Sequence, residues 1–179
     1  SKIFETSVFS ELYEFLNSYS LLSKHQFAFR PKNSTLGGLI QMCDAWYENM
    51  DNGKLNGAVF VDIRKAFDSI NRGILLQKMK EQFRISNIEL KLFESYLSDR
   101  EQVTFVNGVM SSSKRIVCGV PQESILGPLL FLLYIHNLPD CLEKSTPCLC
   151  ADDTQIFSSA KDCEELNANL NHELHNVSQ

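Results

Sequence analysis

Residues 148–157 read Cys-Leu-Cys-Ala-Asp-Asp-Thr-Gln-Ile-Phe, so two adjacent carboxylates stand between two short apolar runs. This pattern predicts a β-hairpin with Asp152 and Asp153 at its tip. A second apolar run, Gly57-Ala-Val-Phe-Val-Asp62, lies between turn signals and predicts a buried strand that ends on a third carboxylate. If the strand and the hairpin are neighbours in one sheet, the three carboxylates converge at one end of it.

Converging carboxylates repel one another unless cations share the site. Hard oxygen ligands favour Mg²⁺ or Mn²⁺, and two such ions about 3.5–4 Å apart support phosphoryl transfer. The alternative is a solvated turn, because Asp is common in turns. Spacing alone leaves both interpretations open.

The segments around these strands show mainly helical periodicity. The Asn107-Gly108 pair predicts a type I′ hairpin whose return strand reaches Cys118. This mixture predicts an α+β fold, with helices stacked on a mainly antiparallel sheet. The predicted helices are Ile3 to Tyr19, a helix capped by Ser34 and running to about Met50, Lys65 to Phe83 with an irregular start, a helix capped by Ser86 and running to about Ser98, Ile125 to Leu138, and Asp162 to Val177.

Composition limits the class of protein. The 179 residues are 44% hydrophobic and 22% charged, which predicts one globular unit and excludes a disordered chain. No apolar stretch reaches the ~20 residues that a membrane-spanning helix needs. The net charge of −5 is not that of a self-sufficient nucleic-acid binder. Six cysteines without a leader sequence predict free thiols in a reducing compartment, and the missing initiator Met suggests a piece of something longer.

Five ordered blocks of sequence carry a family resemblance. In these blocks the chain resembles reverse transcriptases of non-LTR, LINE-type retrotransposons, close to the jockey and CR1 groups. The blocks are HQFAFRP at 25–31, VFVDIRKAFD at 59–68, SYLSDR at 95–100, GVPQESILGPLL at 119–130 and ADDT at 151–154.

The resemblance implies a right-hand polymerase fold, of which 1–179 would be a partial domain. Residues 1 to about 53 would belong to the fingers, and about 54–179 would be mostly palm with some fingers elements. The thumb and any endonuclease region would be absent. The implied activity is that of an RNA-directed DNA polymerase, which uses an RNA template, a DNA primer, dNTPs and two Mg²⁺ ions, with Mn²⁺ possible. The expected location is intracellular, in the nucleus and cytoplasm, with no membrane partner.

The resemblance also implies the catalytic residues. Asp62 and Asp152 would be the principal metal ligands, and Asp153 would be the third carboxylate. Taken without the resemblance, Asp62 could instead be a covalent nucleophile of a Mg²⁺-dependent phosphotransfer domain.

Five further residues would bind substrate. Phe67 would lie beneath the incoming sugar and exclude a 2′-hydroxyl, while the backbone N–H groups of Lys65 and Ala66 would meet the triphosphate. Arg30 would bring a positive fork to the phosphates. Gln122 would border the nucleotide and the template base. The alternatives are a core aromatic for Phe67 and solvated loop residues for Arg30 and Gln122.

Three positions depart from the family pattern. Glu123 stands where a glycine is usual and places a negative charge beside phosphates, so we expect it to weaken catalysis. Ala28 also replaces a glycine, which matters only if that position needs a positive φ. Cys150 stands where an aromatic residue is typical. With the expected truncation, these departures keep open a second hypothesis, a catalytically inert retrotransposon-derived fragment or a protein- or RNA-binding module.

Overall fold

The computed structural model describes residues 2–178, which form two compact units interleaved along the chain. One unit contains residues 2–21 and 65–134, and the other contains residues 22–64 and 135–178. The elements in chain order are α1 Lys2–Ser18, α2 Thr35–Asp51, β1 Leu55–Val61, α3 Arg72–Glu81, α4 Asn87–Leu97, β2 Glu101–Gln102, β3 Phe105–Val106, β4 Val109–Met110, β5 Lys114–Arg115, α5 Leu126–Tyr134, a 3₁₀ helix Leu138–Cys141, β6 Thr146–Cys150, β7 Asp153–Ala160 and α6 Cys163–Val177.

The unit of residues 22–64 and 135–178 is built on a three-stranded antiparallel sheet of order β1-β7-β6. Successive side chains of a strand point to opposite faces, and each face of this sheet meets one helix. On one face α2 approaches so closely that a Cβ on Gly38 would lie 2.9 Å from Cys148 Sγ. On the other face, a Cβ on Gly57 would lie 3.0 Å from side-chain carbons of Leu166 and Leu170 in α6. The predicted α+β class, with helices on a mainly antiparallel sheet, is confirmed.

The unit of residues 2–21 and 65–134 is mainly helical, with α5 at its centre. Helix α5 is apolar on every side, and Leu126, Gly127 and Leu129–Leu133 are all buried. A helix of this kind is stable in water only when other elements surround it. Helices α1 and α3 pack against α5, and α4 packs against α3. Their buried residues include Leu12, Leu16, Leu75, Met79, Phe93 and Leu97.

Side-chain caps explain where α2 and α6 begin. The Ser34 hydroxyl accepts a hydrogen bond from the Gly37 N–H, and the Asp162 carboxylate accepts one from the Glu165 N–H. The N-cap predicted at Ser34 is therefore confirmed, and Asp162, predicted as the first residue of its helix, is the N-cap of α6. Ser86 precedes α4 as expected, but its side chain makes no cap hydrogen bond.

Three predicted boundaries are wrong. The helix expected from Lys65 begins at Arg72, because the Asn71 side chain caps it by accepting hydrogen bonds from the N–H groups of Gly73 and Ile74. The strand expected to reach Cys118 ends at Arg115. The helix expected to reach Leu138 ends at Tyr134, and a separate 3₁₀ turn begins at Leu138.

The tight turn predicted at Asn107-Gly108 is present. Asn107 and Gly108 both have positive φ and join the paired residues Val106 and Val109, as a type I′ turn requires.

The division into fingers up to about residue 53 and palm beyond it stays a prediction, and its end residues Ser1 and Gln179 lie outside the described residues. In the described part of the chain, no helix is long and apolar enough to span a bilayer.

Candidate active site

The first group of site residues lies at one end of the three-stranded sheet. Cys150 pairs with Asp153, so Ala151 and Asp152 form the two-residue loop of a tight hairpin, which we call the carboxylate hairpin (150–153). Val61, the last residue of β1, pairs with Thr154 of β7. One step further along this antiparallel register, Asp62 follows Val61 beside Asp153. The strand and the hairpin are therefore sheet neighbours, as the sequence predicts.

The donor atoms at this end of the sheet are carboxylate oxygens. Asp62 and Asp153 are exposed, and Asp152 is half-buried. Burial raises the pKa of the Cys148 thiol to about 11, and burial also raises the pKa of Cys150, so both thiols stay protonated at neutral pH. Across residues 2–178, no three His, Cys, Asp or Glu side chains are grouped closely enough to hold a metal ion. The available donors are of the hard type that Mg²⁺ binds together with waters and substrate phosphates.

The turn of the carboxylate hairpin is held from outside by Gln26. This side chain is 4% exposed, and its Oε1 accepts hydrogen bonds from the N–H of Ala151 at 3.1 Å and from the N–H of Ala28 at 3.0 Å. The backbone beside it continues the sheet, because Leu149 exchanges hydrogen bonds with the backbone of His25 and Phe27. Sequence reasoning missed Gln26 as a site residue, although the glutamine lies inside the HQFAFRP block.

Arg30 is half-buried in the same unit. Its Nη1 donates a hydrogen bond to the Ser23 carbonyl at 2.6 Å, and its Nε is buried without a hydrogen-bond partner among the described residues. Phe29 has a φ of +55°, whereas Ala28 has no positive φ. Position 28 therefore does not need a glycine, and the replacement expected to be tolerable carries no backbone strain.

The second group of site residues lies in the other unit, in two segments that we call the loop pair: the turn 65–70 and the loop 119–123. Lys65 has a φ of +55°, and its carbonyl accepts hydrogen bonds from the N–H groups of Asp68 and Ser69, both at 2.9 Å. Ala66 is buried. The Phe67 ring stacks on Phe131 with centroids 4.7 Å apart, so the core of the unit fixes one face of this ring.

The two segments of the loop pair are joined through their backbones. Gly119 N–H donates to the Ile70 carbonyl at 2.8 Å, and Val120 N–H donates to the Phe67 carbonyl at 3.0 Å. Gly119 has a φ of +79°, and a Cβ on it would lie 2.8 Å from both the Cα and the carbonyl oxygen of Asp68. Only glycine fits a site that combines this φ with such a close approach.

Side chains complete the junction. Gln122 Nε2 donates to both carboxylate oxygens of Asp68, at 2.9 and 3.1 Å. The Arg72 guanidinium donates to the carbonyls of Gly119 and Ile116, both at 2.8 Å, and to that of Cys118 at 3.1 Å. Sequence reasoning named Gln122 but missed Asp68 and Arg72 as its supports. Asp68 could have been suspected only as a charged residue inside a quoted block.

Glu123 ends the loop pair with a φ of +56°. The following residues are capped, because Ser124 Oγ accepts from the Gly127 N–H at 2.9 Å and a Glu5 carboxylate oxygen accepts from the Ile125 N–H at 2.8 Å. The backbone at Glu123 thus has the conformation that glycine adopts most readily. This is the position where the family pattern expects a glycine.

The predicted site residues therefore fall into two separate groups. Arg30, Asp62, Asp152 and Asp153 belong to the unit of residues 22–64 and 135–178. Lys65, Ala66, Phe67 and Gln122 belong to the unit of residues 2–21 and 65–134. Within each unit, the structure brings together residues that are far apart in sequence.

Comparisons with known proteins agree on one family. The family described as "Reverse transcriptase (RNA-dependent DNA polymerase)" matches residues 1–178. Among curated proteins, the chain is 29% identical over 172 residues to the "Probable RNA-directed DNA polymerase from transposon BS" of Drosophila melanogaster, covering 92% of this chain and 19% of that protein. It is 31% identical over 168 residues to the "RNA-directed DNA polymerase from mobile element jockey" of the same species, covering 89% of this chain and 18% of that protein. The chain thus spans less than a fifth of the length of these relatives.

Among solved structures, the chain is similar to the apo telomerase of Candida tropicalis truncated from its C-terminal domain. The TM-score is 0.65 at 16% identity, and the match covers 97% of this chain and 36% of the telomerase chain. At this identity the likeness concerns the fold.

Proposed function

Because the chain belongs to the reverse transcriptase (RNA-dependent DNA polymerase) family, we propose that it carries out RNA-templated DNA synthesis in retrotransposition. The primer 3′-hydroxyl attacks the α-phosphate of a dNTP, and pyrophosphate leaves. The observation that carries this proposal is the register of β1 and β7, which brings Asp62 beside Asp153 next to the turn that holds Asp152. The partners of the chain in this proposal are an RNA template and a DNA primer.

The carboxylates have the first role in this proposal. Asp62, Asp152 and Asp153 are the residues that would contribute carboxylate ligands to two Mg²⁺ ions, or to Mn²⁺ in their place, with waters and substrate phosphates as the other ligands. When bound, these ions supply positive charge for the attacking and leaving oxygens. Gln26 fixes the backbone at Ala151 and so limits the movement of the neighbouring Asp152. A rigid turn favours this chemistry, because positions fixed before the reaction need no reorganisation during it.

The loop pair and Arg30 have the second role, in nucleotide binding. The Phe67 ring, held against Phe131, is a fixed apolar surface for the deoxyribose and leaves no room for a 2′-hydroxyl. Lys65 has a positive φ, a conformation that also occurs in anion-binding turns, and the N–H groups of Lys65 and Ala66 are the donors to the triphosphate in this proposal. Arg30 supplies a guanidinium for the phosphates, and Gln122 borders the base pair.

Primer extension tests the proposal. A DNA primer annealed to an RNA template is incubated with dNTPs and Mg²⁺, then with Mn²⁺, and Asp152→Asn is compared with Asp140→Asn, an exposed aspartate of the 3₁₀ helix in the same unit. We expect extension by the unmodified chain, a loss of about 10²–10³-fold in Asp152→Asn and no change in Asp140→Asn. Equal extension by both variants, or none by the correctly folded chain, overturns the proposal.

One observation favours a second candidate, an inert or purely binding fragment of the same family. Glu123 combines a strained backbone with a negative charge beside the nucleotide-binding residues. For this candidate, the primer–template is bound equally well by the unmodified chain and by Asp152→Asn, and neither extends it. For either candidate, we propose that the chain acts inside the cell, in the nucleus and cytoplasm, and that thumb and endonuclease regions belong to the parent protein.

A further inference from the structure

We propose that Asp68 is a positioning residue for the incoming nucleotide: it orients the Gln122 amide, and through that amide it sets the affinity for the dNTP. The inference rests on the proposed function, in which Gln122 borders the nucleotide. Its basis is the contact of Gln122 Nε2 with both oxygens of Asp68, at 2.9 and 3.1 Å, between residues 54 apart in sequence.

The chemistry of the contact dictates the direction of the amide. An ionised carboxylate only accepts hydrogen bonds, so it attracts the Gln122 NH₂ group and repels the carbonyl oxygen. With Nε2 on Asp68, Oε1 is the end of the amide that remains for another partner. Gln122 is therefore presented as a hydrogen-bond acceptor, and it suits an N–H or O–H donor of the dNTP.

Asp68 can impose this direction because its own backbone is fixed. Its N–H donates to the Lys65 carbonyl at 2.9 Å. Gly119 packs against the Asp68 backbone so closely that a Cβ on Gly119 would lie 2.8 Å from the Asp68 Cα. A carboxylate on a fixed Cα is a reference point against which an exposed glutamine side chain can be oriented.

The other end of the contact is also fixed. Arg72 donates to the carbonyls of Ile116, Cys118 and Gly119, so the segment that leads into Gln122 is attached to the start of α3. The flexible part of the junction is therefore the Gln122 side chain, which Asp68 restrains. Because Val120 bonds to the Phe67 carbonyl at 3.0 Å, the residue proposed for sugar selection belongs to the same junction.

Asp68→Asn is the decisive substitution, because it keeps the size of the side chain and changes only its hydrogen bonding. An asparagine can accept from Nε2 or donate to Oε1, so the amide of Gln122 would adopt two directions instead of one. The matched control is Asp99→Asn, an exposed aspartate of the same unit whose carboxylate pairs with Arg115 at 2.9 Å.

The kinetic arm is a double-mutant cycle in steady-state extension with dTTP on an oligo(dT)-primed poly(rA) template. We expect Asp68→Asn to raise the KM for dTTP about tenfold, at unchanged KM for primer–template, and Asp99→Asn to change neither. In a Gln122→Ala background, Asp68→Asn should have no further effect. Effects that multiply in the double variant, or an effect on the primer–template KM instead, overturn the proposal.

A second arm does not depend on activity. The side-chain NH₂ resonances of Gln122, identified by their loss in Gln122→Ala, should shift in Asp68→Asn and stay in place in Asp99→Asn. An unshifted amide overturns the inference whether or not the chain extends primers. A shifted amide in a chain that extends no primer contradicts the proposed function and the role in dNTP selection, whereas the contact itself stands.

Discussion

The carboxylate hairpin and the loop pair hold their residues in different ways. In the carboxylate hairpin, Asp153 is placed by a ladder of backbone hydrogen bonds between strands that adjoin along the chain, and β1 adds a second ladder. In the loop pair, Gln122 is placed by a few individual contacts across about 50 residues of sequence. Both regions contain non-glycine residues with positive φ, namely Ala151 in the carboxylate hairpin and Lys65 and Glu123 in the loop pair.

The difference concerns how much each contact matters. Ladder hydrogen bonds repeat along the strands and depend little on which side chains are present. We therefore expect most side-chain substitutions in the carboxylate hairpin to leave its backbone structure and stability nearly unchanged. The junction of the loop pair contains one close backbone approach, at Gly119, which no other contact replaces. We therefore expect single substitutions to have their largest effect in the loop pair.

The largest effect is expected from Gly119→Ala. The new Cβ would lie 2.8 Å from the Cα of Asp68 at a φ of +79°, so strain and overpacking together should lower the free energy of unfolding by about 2–4 kcal/mol. Urea denaturation measures this loss. Gly108→Ala is the matched control, because its φ is +81° but nothing lies within 4 Å of the new Cβ, and it should cost only about 1–2 kcal/mol. Equal losses in both variants would mean that the close approach contributes nothing.

The carboxylate hairpin should be most sensitive to substitution of Gln26, which holds its turn from outside. Gln26→Ala leaves the buried N–H of Ala151 without an acceptor, so the free energy of unfolding should fall by about 2–3 kcal/mol. Extension should fall with it, because the turn next to Asp152 loses its support. Gln41→Ala, at an exposed position of α2, is the control and should change stability by less than about 0.5 kcal/mol. A Gln26→Ala variant as stable as the control would show that the ladder alone holds the turn.

Glu123→Gly should raise both stability and activity. A left-handed backbone costs a non-glycine residue about 1–2 kcal/mol, which the substitution relieves. Glycine loses more chain entropy on folding, which offsets about 0.5–1 kcal/mol of that relief. We therefore expect the free energy of unfolding to rise by about 1 kcal/mol. Primer extension should rise several-fold, because a negative charge beside the proposed nucleotide-binding residues is removed. Glu123→Gln separates the two causes, since it removes the charge and keeps the strain. If neither variant changes extension, Glu123 does not limit activity.

The smallest effect is expected from Ala151→Gly. Its φ of +62° is strained in the same way, but its methyl group is buried, and losing that contact offsets most of the relief. The free energy of unfolding should therefore change by less than about 0.5 kcal/mol, as measured by thermal denaturation. A gain as large as that in Glu123→Gly would show that both regions store backbone strain equally.

The sequence alone determined the elements that depend on neighbours along the chain. Short apolar runs on either side of Asp152 and Asp153 predict a hairpin, the Asn107-Gly108 pair predicts a tight turn, and Ser34 caps its helix. These features follow from side-chain period and local hydrogen bonding, which a sequence displays directly. The ordered blocks also identified the family, which the comparison over residues 1–178 confirms, and they gave the candidate site residues.

The contacts that support those residues come from tertiary packing. No periodicity indicates that Gln26 holds the turn at Ala151, that Gly119 lies against Asp68 or that Arg72 binds three carbonyls. The cap that starts α3, Asn71, is local, but the turn 65–70 before it is held in place of a helix by a loop about 50 residues later. Contacts between distant segments depend on how the whole chain packs, and local pattern carries no record of them.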